Sequence, residues 1–231
     1  MKNLFGLLLS FLLVSPAMHA QVKQGDAKLW GTRMGVKIIG LVEGPATAKV
    51  DLQVACVFEY TEGDIYNSPP ALPPAANGMQ HLDKALHGVI TDIRKTGQFE
   101  GHTYETILLD PAPGTIKAKR LLLIGLGNRD RFDAGIMKGV GTIALREALR
   151  LNATSVGIAS DLKDAGIDSP TALVAENITT GALQAWKTQA YLRQKGYSNK
   201  PILNKIMLLA GQAFFETAGT GIVKALEKFP Q

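Results

Sequence analysis

Between Val50 and Phe58 apolar residues recur at every second position: Val50, Leu52, Val54, Cys56 and Phe58 on one side, Asp51 and Gln53 on the other. That period predicts a strand with one strongly apolar face. Strands are also predicted over Val36–Val42, ended by Gly44-Pro45, and over Glu105–Asp110, Arg120–Leu126, Thr154–Ala159 and Lys205–Ala210. Arg120–Leu126 (RLLLIGL) is continuously apolar, as expected of a strand covered on both faces. Helical spacing appears in Met79, Leu82, Leu86, Val89, Ile90 and Ile93, predicting a helix that Asn77 caps, with Gln80 reaching back, and Gly97 closes. A second helix runs from Asp133 to about Leu151, where Gly135, Gly139 and Gly141 suggest close packing against a neighbour. Ser169-Pro170 reads as a cap and first-turn proline opening a third, to about Arg193, and a fourth ends the chain around Phe214–Phe229.

Strands alternating with helices, with two adjacent strand pairs, predict an α/β fold: a mixed β-sheet of about six strands flanked by helices, in one domain over 21–231. The segment Tyr60–Ala76, with Pro69, Pro70, Pro73 and Pro74, is read as a long loop, since proline donates no ladder hydrogen bond. Residues 1–20 read as a signal peptide: Lys2, an apolar run from Leu4 to Val14, then small residues offering cleavage after Ala17 or Ala20. The run is shorter than the roughly 20 apolar residues of a membrane span, so no anchor is expected after cleavage and a periplasmic or secreted location is.

Composition changes this picture little. Of 231 residues 46% are hydrophobic and 19% charged, which excludes a disordered chain, and the net charge of +5 is scattered, so no nucleic-acid partner is expected. The single cysteine, Cys56, alternates in register with core residues and is expected to be buried. No cofactor motif emerges. Gly125-Leu126-Gly127-Asn128 at a strand end lacks the third glycine of a dinucleotide fingerprint, because residue 130 is Asp; a tight turn explains both glycines. His81, His87 and His102 lack metal-ligand spacing, no GxSxG elbow is present, and no catalytic residues are assigned.

Several segments, taken in order, resemble the N-terminal domain of the leucyl aminopeptidases of the M17 family. Leu82–Gly88 (LDKALHG) is similar to that domain's first long helix, Phe99–Thr106 (FEGHTYET) to the approach to its next strand, Arg120–Asn128 to its strand and glycine turn, and Ala175–Leu192 to its long helix. The resemblance spans about residues 36–228. It implies that peptidase chemistry belongs to a separate C-terminal domain, which holds two zinc ions around a motif like NTDAEGRL; no such string occurs here, and none of the family's catalytic residues carries over.

That domain is related in fold to the macro domains, which bind ADP-ribose. Gly63-Asp64-Ile65 and Ala75-Ala76-Asn77 resemble two macro-domain motifs, so Asp64, Asn77, Gly125, Gly127 and Asn128 are the candidate ligand-binding residues. Macro domains place a strand between the two motifs, where this chain has four prolines. The expected function is an exported, non-catalytic binding or oligomerisation module, its partner a second copy, another protein or a small ligand. The alternatives are a nucleotide- or ADP-ribose-binding module, and the accessory part of a metalloaminopeptidase whose zinc domain lies on another chain.

Overall fold

The computed structural model describes residues 22–67 and 72–230; the expected signal peptide lies outside the described residues, as do Pro69 and Pro70. Seven strands form one sheet: β1 (Ala27–Arg33), β2 (Val36–Leu41), β3 (Leu52–Val57), β4 (Thr106–Leu109), β5 (Arg120–Gly125), β6 (Ser155–Ala159) and β7 (Lys205–Leu209), in the order β1-β2-β7-β6-β3-β5-β4. The five central strands run parallel, and antiparallel β1 and β4 form the two edges. The sheet is therefore mixed, as predicted.

Helices α4 (Ile136–Arg150), α5 (Thr171–Gln194) and α6 (Phe215–Leu226) cover one face over the larger core, which holds Val54, Cys56, Ile158, Ile206 and Leu208. Helices α4 and α5 approach backbone to backbone. A Cβ on Gly141 would strike the Ile178 carbonyl, and one on Gly181 the Lys138 carbonyl, so the glycines of α4 do mark close packing. The other face carries a smaller core under α1 (Asp64–Asn67), α2 (Gly78–Ala85) and α3 (Val89–Lys95), built on Ala55, Val57, Leu121, Leu123, Leu82 and Ile90.

The structure corrects the sequence reading at five places. A seventh strand, β1, escaped detection because its residues are mostly exposed and leave no apolar period. The helix predicted over 77–97 is two helices, since His87 and Gly88 both have positive φ (56° and 83°) and turn the chain between α2 and α3. The proline-bearing loop includes the short helix α1 and a 3-10 turn at Pro74–Ala76. Gln53, placed on the polar side of its strand, is fully buried, its amide lying across Gly157 of β6 beside Val50. Finally, Ser169 does not cap α5: its hydroxyl is buried without a hydrogen-bond partner.

The second face is covered only in part. Pairing sets Leu29 opposite Ile39 and Ile39 opposite Met207, one apolar row across β1, β2 and β7. Their neighbours Ile38 and Leu208 point into the larger core, so this row points the other way. Leu29 is 56% exposed, and Ile39 and Met207 are partly exposed. Lys37 and Lys205 border the row, exposed and without an ion-pair partner among the described residues.

Candidate functional site

The carboxyl ends of parallel strands are where open α/β sheets place ligands. Here the loops after β3, β5 and β6 converge, and all five candidate residues lie in or beside them. Asp64 follows the loop from β3 and is buried. Its carboxylate accepts from two guanidiniums: Arg94 from the last turn of α3, with Nη1 at 3.2 Å and Nη2 in closer contact, and Arg129 from the turn after β5, at 3.3 Å. Arg94 also donates through Nε and Nη2 to the Phe58 carbonyl at 3.2 and 2.8 Å. Arg129 lies over the Phe58 ring and donates through Nη1 to the Ala165 and Gly166 carbonyls at 2.6 and 2.8 Å. Burial holds the Arg129 guanidinium below its ordinary pKa, with Asp64 opposing that shift. One carboxylate and two cations thus tie the loops after β3, β5 and β6 together. Removing one member of such a buried group costs about 3–5 kcal/mol, because a charge is left uncompensated.

Asn77 is the N-cap of α2, as predicted. Its Oδ1 accepts from the Gln80 N–H at 2.9 Å, and its Nδ2 donates to the Ile65 carbonyl at 3.1 Å. The Gln80 side chain does not reach back to the cap; it donates to the Tyr66 carbonyl at 3.4 Å. Asn128 accepts through Oδ1 from the Asp130 N–H at 2.9 Å. The two glycines are filled by the chain itself: a Cβ on Gly125 would strike the His102 carbonyl, and one on Gly127 the Thr103 hydroxyl. The Gly127 N–H donates to Gly101 O at 2.9 Å, and the Tyr104 N–H to Gly125 O at 2.9 Å. The glycine turn thus makes room for residues 101–104 on their way into β4. Asp64, Asn77 and the glycine turn do meet at one end of the sheet, each already engaged by protein groups.

Cavities among the described residues at that end include a pair of about 10 Å³ each, room for about one water. The first is lined by Cys56, Met79, Asp161 and Asp164 among others, the second by Cys56, Asp64 and Arg94. Asp161 and Asp164 went unnoticed in the sequence; the available signal was two carboxylates three residues apart directly after a strand. Burial raises Asp164 to about 7, reinforced by the charge of Asp161, and burial raises Asp161 as well. Burial pushes the Cys56 thiol up to about 12, so it stays protonated and inert at neutral pH. On the surface nearby, His102 sits between Glu59 (Nδ1, 3.0 Å) and Glu100 (Nε2, 2.6 Å), and its pKa is raised, chiefly by the Glu59 hydrogen bond. Among the described residues no group of three His, Cys, Asp or Glu side chains could hold a metal ion, and no helix is long and apolar enough to cross a membrane.

A mixed seven-stranded sheet between two helical layers, with its loops gathered at the parallel strand ends, is a fold of the macrodomain class. An Oceanobacillus iheyensis macrodomain variant aligns with a TM-score of 0.55 at 11% identity, over 91% of this chain and 98% of its own. A tomato leucine aminopeptidase variant aligns with a TM-score of 0.56 at 20% identity, over 78% of this chain and 33% of that one. The sequence matches the cytosol aminopeptidase family, N-terminal domain, over residues 65–195, and the chain belongs to that family. Among curated relatives, a probable cytosol aminopeptidase of Syntrophotalea carbinolica is 29% identical over 152 residues, 65% of this chain and 29% of the relative. Another, from Nitrosococcus oceani, is 31% identical over 133 residues, 58% of this chain and 26% of the relative. The chain thus spans less than a third of the length of these relatives.

Proposed function

We propose that this chain is a non-catalytic association domain, acting in an exported form and pairing with a second copy of itself through the open face of β1, β2 and β7. The partly exposed row Leu29–Ile39–Met207 carries the reading. Partly exposed apolar side chains in one row leave contact area that a partner would remove from water. Charge favours a second copy over an unrelated one: among the described residues Lys37, near the start of β2, has no ion-pair partner, and Glu43, just past its end, meets Gln24 and Thr47. Laid antiparallel across a two-fold axis, each copy sets its lysine end toward the other's glutamate. The lack of peptidase chemistry is supported by the match, which falls in the family's N-terminal domain. Export is supported by the pattern of Lys2 and Leu4–Val14.

Light scattering of the purified chain over rising concentration tests this. A mass climbing to twice the monomer is expected, and a monomer at every concentration would overturn it. Calorimetry with ADP-ribose tests the nucleotide alternative. Such a ligand would have to displace the Arg129 and Asn77 contacts described above, so no heat of binding is expected.

A further inference from the structure

Between Glu176 and Glu216 the chain holds five basic residues and no acidic one, a stretch that takes in most of α5 and the whole connection into β7. Four of the five gather toward the end of α5. Lys187, Tyr191 and Lys195 follow at intervals of four and lie along one exposed stripe of the helix, with the Lys195 ammonium 5.7 Å from the centre of the Tyr191 ring. Arg193 and Lys200 are exposed as well. None of these four cations has an ion-pair partner among the described residues.

The helix dipole explains only part of this. Free carbonyls at a helix end favour cations in the last turn, which accounts for Arg193 and Lys195. Lys187 lies well before that turn and Lys200 beyond it. The helix stops in a glycine turn: Gly196 has a φ of 80°, its N–H donates to the Arg193 carbonyl, and the Tyr197 N–H donates back to the Leu192 carbonyl at 2.9 Å. The side chain after such a glycine commonly packs onto the last helical turn. Tyr197 is instead 82% exposed, and Tyr191 and Ile202 are 57% and 54% exposed. Three large side chains therefore stand in water among four positive charges.

We infer that this end of α5 is a peripheral docking surface for an anionic lipid bilayer. Its cations meet the phosphate headgroups, and Tyr191, Tyr197 and Ile202 enter the headgroup layer. The surface is separate from the proposed self-association, because α5 covers the larger core and the row Leu29–Ile39–Met207 points away from that core. Charge selects an anionic partner, and the exposure of Tyr197 selects a bilayer over an acidic peptide. A peptide groove would shield its aromatic side chain by walls, whereas a ring that touches so little of its own chain is free to sink into a soft interface. Tyrosine suits that layer, since its ring is apolar and its hydroxyl stays wet.

Co-sedimentation with lipid vesicles tests this. Residues 21–231 are used, which contain the whole described fold, so that the apolar run Leu4–Val14 does not itself enter the lipid. Vesicles of phosphatidylglycerol mixed equally with phosphatidylcholine should carry the protein down, and vesicles of phosphatidylcholine alone should not. Salt at about 1 M, where screening acts within about 3 Å, should release it. Each cation near an anionic bilayer is worth about fivefold in binding, so Lys195→Gln combined with Lys200→Gln should weaken it about 25-fold. The same charge change at the exposed Lys84 and Lys138, on other helices, should leave binding within a few-fold of wild type. Tyr197→Ser alters no charge and should still weaken binding several-fold. All these side chains are exposed, so the variants keep the fold. No binding to the anionic vesicles, equal binding to the neutral ones, or binding that the paired lysine variant or Tyr197→Ser leaves unchanged would overturn the inference. Binding to polyglutamate without binding to vesicles would also overturn it and assign the surface to an acidic protein.

Discussion

The strand-carboxyl end and the open face of β1, β2 and β7 are opposites in how they treat exposed chemistry. At the strand end, polar groups are abundant and engaged: Asp64 by two arginines, Asn77 by a helix N-terminus and a carbonyl, the glycine turn by residues 101–104. On the open face the side chains are apolar or singly charged, and Leu29, Lys37 and Lys205 stand exposed. A region whose hydrogen bonds close on themselves contributes to stability and resists a ligand. A region that leaves apolar area and free charge contributes little to the isolated fold and invites a partner. The fold class alone points to the first region for binding; the side chains point to the second.

Mutations should separate the two regions by their effects. The largest is expected at Asp64→Ala, which leaves the Arg94 and Arg129 guanidiniums buried without their carboxylate and should cost about 3–5 kcal/mol in urea unfolding. A loss below about 1 kcal/mol would mean that the strand end is looser than its contacts imply. Gly125→Ala comes next: its Cβ meets the His102 carbonyl, and overpacking of this kind costs about 1–3 kcal/mol with displacement of the segment entering β4. Asn77→Ala removes the cap of α2 and should cost about 1 kcal/mol. The smallest stability effect is expected on the open face. There Ile39→Thr should alter unfolding by about 0.5 kcal/mol, given its partial exposure, while lowering the associated mass.

Acidity gives a further contrast at the strand end. The hydrogen bond to Glu59 and the charge of Glu100 favour the protonated imidazole of His102, so its folded pKa lies above the unfolded value of about 6.5. The linked stabilisation is complete below that value and is lost as pH rises through the higher folded pKa. Glu59→Gln should bring the NMR titration midpoint of His102 down, and an unmoved midpoint would remove the assigned cause.

Much of the fold was readable because burial leaves a pattern. The continuous run of β5 and the alternation in β3 announced their strands, and the stripe of α4 with its glycines announced both a helix and a close neighbour. Strand β1 was unreadable because an exposed edge strand has no buried face to impose a period. The break at His87–Gly88 was hidden because Leu86, Val89, Ile90 and Ile93 keep helical spacing across it. At the strand end, single residues were found but not their partners. Asp64 is 30 residues from Arg94 and 65 from Arg129, and only the topology of the sheet brings them together. The open face is a cross-strand row from three separate segments, so no window along the chain contains it.

Association through the open face is tested most directly by sedimentation velocity of the wild-type chain beside Ile39→Glu, at matched concentrations. The wild type should sediment as a dimer, and the variant, with a carboxylate in the middle of the apolar row, as a folded monomer. A wild-type monomer, or a dimer that Ile39→Glu leaves intact, would contradict it.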